Sequence, residues 1–183
     1  MKNIIETPRL RLISCDKEML TAIMEGDHAI GSLLQVKVAS PWTINEKPVF
    51  QYSLEKILAH PDQEKWWTYL HVLRNENLLI GCCGFKGSPD DNGVVEIGYE
   101  VAESYRLQGF ATEIATALIE FSFSNREVNT VIAHTLAHEN ASNRVLRKCG
   151  MWFDGEAHDP DEGPVWKWKL SKESFLGRLY LKS

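Results

Sequence analysis

The sequence predicts a mixed α/β layer fold (α+β in its segregation of strands and helices) built on one central sheet. Three observations predict it. The apolar period switches repeatedly between two and about 3.6 residues along the chain. Clusters of Asn, Asp, Gly and Pro separate the periodic segments, as at Asn75–Asn77 and Ser88–Gly93. The segments follow in the order βααβββαβαββ with short connections, which suits one domain over residues 1–183. About seven strands and about four helices are expected.

The elements are justified in order. Arg9-Leu10-Arg11-Leu12-Ile13 alternates and reads as the opening strand. Asp16 can cap a helix reaching Ile30, with Met19, Leu20, Ile23 and Met24 as its apolar stripe. Gly31 to Lys47 has weak periodicity, contains Pro41-Trp42, and reads as a loop. Pro48 suits the first turn of a second helix carrying Phe50, Leu54 and Ile57, which must stop before Pro61. Trp66–Leu73 and Leu78–Phe85 read as a hairpin, and Val94–Val101 as a third neighbouring strand. Ile114, Ala115, Leu118 and Ile119 then mark a long helix over Ala111–Phe123. Val128–Leu136 returns to strand, and Ala141–Cys149 is a short helix stopped by Gly150. Trp152-Phe153 and Val165–Trp168 close the sheet, and the tail from Ser171 adds helix.

Composition narrows the function. The chain has 183 residues, 44% hydrophobic and 25% charged, with a net charge of -5. That balance lacks the basic excess of a general nucleic-acid binder. Met1 to Arg11 has no apolar core of a signal peptide, and no run approaches the roughly 18 apolar residues of a membrane span. Cys15, Cys82, Cys83 and Cys149 have neither disulfide-framework nor zinc spacing, so they read as reduced thiols of a cytoplasmic protein. His134 and His138 are four apart, but on a strand that spacing gathers no metal, and none is expected.

The most informative segment is Val101 to Thr112, where a strand ends, a turn follows and the longest helix begins. The first amides of a helix lack intrahelical partners and, with the helix dipole, form an anion site. Gly109 and the small Ala111 allow close backbone approach, and Arg106 can pair with a phosphate. The physical product is a cradle for a diphosphate. Arg106-Leu107-Gln108-Gly109-Phe110-Ala111 resembles the Arg/Gln-x-x-Gly-x-Gly/Ala signature of the GNAT N-acetyltransferase superfamily. Thr7-Pro8-Arg9-Leu10-Arg11-Leu12, Glu96-Ile97-Gly98-Tyr99 and Asn140 to Met151 resemble segments of its RimJ/RimL-like branch.

The resemblance implies a three-layer fold whose sheet splays between the fourth and fifth expected strands. It implies acetyl-coenzyme A as co-substrate, an amine acceptor (a protein N-terminus or a small molecule), and dimerisation as a family habit. It assigns the coenzyme to Tyr99, Val101, Arg106, Leu107, Gln108, Gly109, Phe110, Ala111, Thr112, Asn140 and Ser142.

Amine acetylation needs a base, because an alkylammonium titrates near about 10.4. Glu96 is the first candidate and Glu100 the second; alternation puts both on one face with Gly98. Solvated strand carboxylates are the plainer alternative. Many superfamily members protonate the leaving thiolate with a tyrosine in the helix after the splayed strand. None stands here, and Ser142 is the nearest hydroxyl. Asn140 and Ser142 would equally suit helix capping. Trp42, with Trp66 and Trp67, could line an acceptor pocket or belong to the core. A non-catalytic acyl-coenzyme A sensor or scaffold would need the same cradle but no base.

Overall fold

Leu78–Phe85 is apolar on both faces, and in the structure it becomes a central strand covered from both sides. The computed structural model describes residues 3–45, 47–160 and 162–180. The strands are β1 (Ile4–Glu6), β2 (Leu10–Ser14), β3 (Lys37–Val38), β4 (Thr68–Leu73), β5 (Leu78–Phe85), β6 (Val94–Val101), β7 (Thr130–Leu136), β8 (Trp152–Asp159) and β9 (Gly163–Ser171). They form one sheet in the order β1-β2-β4-β5-β6-β7-β9-β8, with β3 adding a short parallel pairing to β5. The helices are α1 (Lys17–Glu25), α2 (Asp27–Leu34), α3 (Lys47–Ala59), α4 (Phe110–Ser124), α5 (Ala141–Lys148) and α6 (Lys172–Tyr180). No described helix is long and apolar enough to cross a membrane.

Four sequence expectations are corrected. The helix expected from Asp16 to Ile30 is two: Asp16 caps α1 through Met19 N, but Gly26 at φ 129 breaks the chain before α2. The expected loop from Gly31 therefore holds the end of α2 and all of β3. Trp66 and Trp67 lie outside the strand; Pro61–Trp66 is a 3₁₀ turn that leads into β4. Nine strands appear among the described residues instead of seven, the additions being β1 and β3.

Helices cover both faces. One core gathers Leu12, Tyr69, Phe85, Ile97, Ile114, Leu118 and Trp168 beneath α4. The other gathers Ile13, Leu70, Leu79, Met19, Ile30, Phe50 and Ile57 beneath α1–α3. This three-layer arrangement lets helices attach at the ends of strands, which is where the chain builds its clefts.

The sheet opens at one seam. β6 and β7 pair in parallel at Val94/Thr130, Val95/Val131 and Glu96/Ile132, and the register ends there. β6 continues to pair with β5 as far as Val101, and β7 with β9 as far as Leu136. Each half-sheet thus keeps its outer neighbour, and a gap opens between the C-terminal halves of β6 and β7. The splay expected between the fourth and fifth strands of the sequence reading is this gap.

Candidate functional site

One side of the gap is built by the start of α4. After β6 a 3₁₀ turn (Glu103–Tyr105) delivers Arg106, then Leu107 at φ 61 and Gly109 at φ 85 turn the chain into the helix. A left-handed backbone is ordinary for glycine but costs a branched side chain about 1 kcal/mol or more. Gly109 is the N-cap and makes no side-chain cap bond, so no side chain of its own closes the first amides of α4. A cavity of about 700 Å³ lies there, lined by Arg106, Leu107, Gly109, Ala111, Thr112 and, from α5, Ser142, Arg144 and Lys148. The Arg106 Nε donates to Val101 O at 3.1 Å, which fixes the guanidinium at the rim. Arg144 and Lys148, four apart on α5, add two cations that the sequence reading missed.

Not every expected cradle residue faces this cavity. Gln108 points away: its side chain donates to Ser104 O at 3.3 Å and its carbonyl accepts from Arg9 Nη1 at 2.9 Å. Phe110 lines the cavity but is buried in the core beneath α4. Asn140 is the N-cap of α5, accepting from Asn143 N at 3.1 Å and donating to His138 O at 3.0 Å. Its amide is engaged by the protein, and it borders neither cavity.

On the other side of the gap lies a cleft of about 420 Å³ lined by Asn45, Phe50, Cys82, Glu96, Gly98, Glu100 and His134, among others. Tyr99, Glu100 and Ser142 border both cavities, so the two meet at the end of β6. Glu96 is 18% exposed, and its Oε1 lies 2.7 Å from Lys86 Nζ and 3.1 Å from His134 Nδ1. His134 sits two residues past the last β6–β7 pair, so it faces Glu96 where the strands part. Neither Lys86 nor His134 figured in the sequence reading beyond the question of a metal. The signal for His134 was present: parallel pairing of the two strands would set it beside Glu96. Among the described residues no group of three potential metal ligands occurs.

Glu100 stands differently. Its carboxylate accepts from Thr43 Oγ1 at 2.7 Å, Ile44 N at 2.6 Å and Asn45 Nδ2 at 2.8 Å. Three donors make it the anchor of the Thr43–Asn45 loop, not a free base. Trp42 also needs correction. It is 3% exposed, its Nε1 donates to Asp27 Oδ1 at 2.8 Å, and it packs on Phe50, so it belongs to the core beneath α1–α3 instead of the cleft wall. Trp66 and Trp67 are likewise buried.

The backbone of β6 supplies donors. Glu96 O accepts from Lys86 N, and Ala102 N donates to Ile80 O, both across to the β5 side. With an unbroken register between them, alternation turns the amides of Tyr99 and Val101 toward the gap. The Tyr99 hydroxyl is buried beside Ser142. Burial raises its pKa above the ordinary tyrosine value, so it stays protonated. Burial, with the Glu100 charge, pushes the Cys82 thiol up to about 12, and burial raises Cys83 further from reactivity.

The family model for the acetyltransferase (GNAT) domain matches residues 10–152. The uncharacterised N-acetyltransferase YjdG of Bacillus subtilis is 29% identical over 149 residues, 80% of this chain and 88% of its own length. Among solved structures, the RimL ribosomal alpha-N-protein acetyltransferase in complex with coenzyme A superposes with a TM-score of 0.69 at 20% identity, covering 94% of this chain and 99% of that one. A ribosomal-protein alanine acetyltransferase from Vibrio fischeri gives a TM-score of 0.69 at 14% identity, with 93% and 97% coverage. Parted strands, an uncapped helix start and a family match over most of the chain lead to one assignment: the chain belongs to the GNAT acetyltransferase family and is an N-acetyltransferase.

Proposed function

We propose that the protein moves acetyl from acetyl-coenzyme A to a primary amine by direct attack within a ternary complex. The observation that carries this reading is the gap between β6 and β7, which joins the cavity at the α4 amides to the cleft at Glu96. Uncapped amides at α4, together with Arg106, Arg144 and Lys148, are a donor set suited to a diphosphate. Acetyl-coenzyme A, when bound, supplies the acetyl group as a thioester. That RimL was solved with coenzyme A supports the same choice of co-substrate.

The protein's own groups then have separate tasks. Glu96 takes the proton from the ammonium, directly or through one water, and Lys86 and His134 hold its carboxylate in place. The amine nitrogen attacks, its bond to the acetyl carbon forms, the carbon–sulfur bond breaks, and the second proton shed by the nitrogen replaces the one that Ser142 gives to the departing sulfur. The amides of Tyr99 and Val101 are placed to donate to the thioester oxygen as charge develops there. Ser142, with the Tyr99 hydroxyl behind it, is the donor for the departing sulfur. The acceptor enters past Asn45 and Phe50, and Asp159 and Glu162 on the rim favour a cationic one. A protein N-terminus is the first candidate, because RimL acts on one, and a small-molecule amine is the second.

Isotope-labelled acetyl-coenzyme A, offered with peptides, polyamines and small amines, should yield an acetylated amine detectable by mass. Glu96→Gln should lower kcat by about 100-fold or more while leaving coenzyme affinity intact. Coenzyme binding with no transfer to any amine would instead favour a sensor or scaffold, and an unchanged kcat in the variant would remove Glu96 as base.

A further inference from the structure

The segment Thr7-Pro8-Arg9 has no part in the chemistry above, yet it is tied to the first turn of α4 by a dense set of bonds. Glu113, in that first turn, accepts from Thr7 Oγ1 at 2.6 Å, from Arg9 N at 2.8 Å and from Arg9 Nε at 2.7 Å. The same guanidinium donates through Nη1 to Gln108 O at 2.9 Å and stacks over the Phe110 ring, its carbon 4.2 Å from the centroid. Arg9 Nη2 lies 3.4 Å from where a β-carbon on Gly109 would stand. One side chain therefore grips residues 108, 110 and 113, on both sides of the uncapped Gly109. The Thr7 corner is itself fixed, bonded to Leu10 and to Arg74 Nη1 through its carbonyl at 3.0 Å.

We infer that Arg9 and Glu113 are positioning residues for the coenzyme. They hold the turn with its two left-handed residues, Leu107 and Gly109, so that the α4 amides converge on the diphosphate. The turn needs such a brace because its N-cap side chain is absent and Leu107 is strained and almost wholly exposed. A fork with Nε and Nη1 aimed at different acceptors is something lysine cannot reproduce. The inference rests on the reading of α4 as the diphosphate site.

The test uses two ligands that differ in that group. Calorimetry with coenzyme A and with pantetheine, which lacks the nucleotide diphosphate, is run on the intact chain and on Arg9→Lys and Glu113→Gln. The expected result is coenzyme A affinity about tenfold weaker in each variant, pantetheine affinity unchanged, and a thermal midpoint close to the parent's. Equal losses for both ligands would mean general damage to the fold, and no loss for either would mean no positioning role; each overturns the inference. A parent protein that binds coenzyme A no tighter than pantetheine would overturn the diphosphate reading itself.

Discussion

Glu96 and Glu100 stand four residues apart on one strand, and their surroundings divide their roles. Glu96 opens on the cleft with Lys86 and His134 on one oxygen, while Glu100 is surrounded by three donors from one loop. Glu100→Ala should therefore free the Thr43–Asn45 loop, raising the amine KM about tenfold with the acetyl-coenzyme A KM unchanged; steady-state kinetics in both substrates checks it. His71 is a buried residue with a different consequence. It sits at the β4 bulge, fully buried, and burial lowers its pKa from 6.5 to about 3, against the weaker pull of the Ile80 and Glu100 backbone. The folded state therefore prefers neutral His71. Its contribution is complete above the unfolded value near pH 6.5 and is lost as pH falls below it, at about 1.4 kcal/mol per unit until the folded value is reached. Between pH 7 and 5 the loss is about 2 kcal/mol. Denaturant melts at both pH values should show it, and His71→Leu should flatten the slope.

At the scale of elements, period and turn chemistry located most of the chain. Both ends of Leu78–Phe85 and the start of Val94–Val101 were legible because strong turn formers bound them. The start of α4 was legible because a strand, a glycine turn and an apolar stripe meet there. The break at Gly26 was not, because Met19, Ile23 and Ile30 keep a common face through it and a glycine inside a helical pattern is tolerated. Trp42 was ambiguous for another reason: its partner Asp27 is fifteen residues away, and only the packed fold brings indole and carboxylate together. The charges of α5 were overlooked although Arg144 and Lys148 share a face. The packing of α4 gives a direct prediction. Leu118 is fully buried between the sheet and the helix, so Leu118→Ala should cost about 3 kcal/mol in denaturant unfolding while leaving the first turn of α4 and coenzyme affinity intact.

For the whole molecule, two cores lie on opposite faces of one sheet, and the proposed ligand would sit where the sheet is least continuous. A ligand that binds only the folded form at a hundred times its dissociation constant adds about 2.7 kcal/mol. In a chain of this size that raises the melting temperature by about 5–10 °C, which a thermal scan with saturating coenzyme A would show. The parted seam also gives the protein a natural isotope reporter. Backbone amides at Tyr99 and Val101 face an open space where a sheet neighbour would ordinarily shield them, so deuterium should enter there within the first moments of labelling. The amide at Val95, on the closed part of the seam, should take up the label far more slowly. A bound pantetheine arm would close the difference, turning a defect in strand pairing into a site-resolved readout of occupancy.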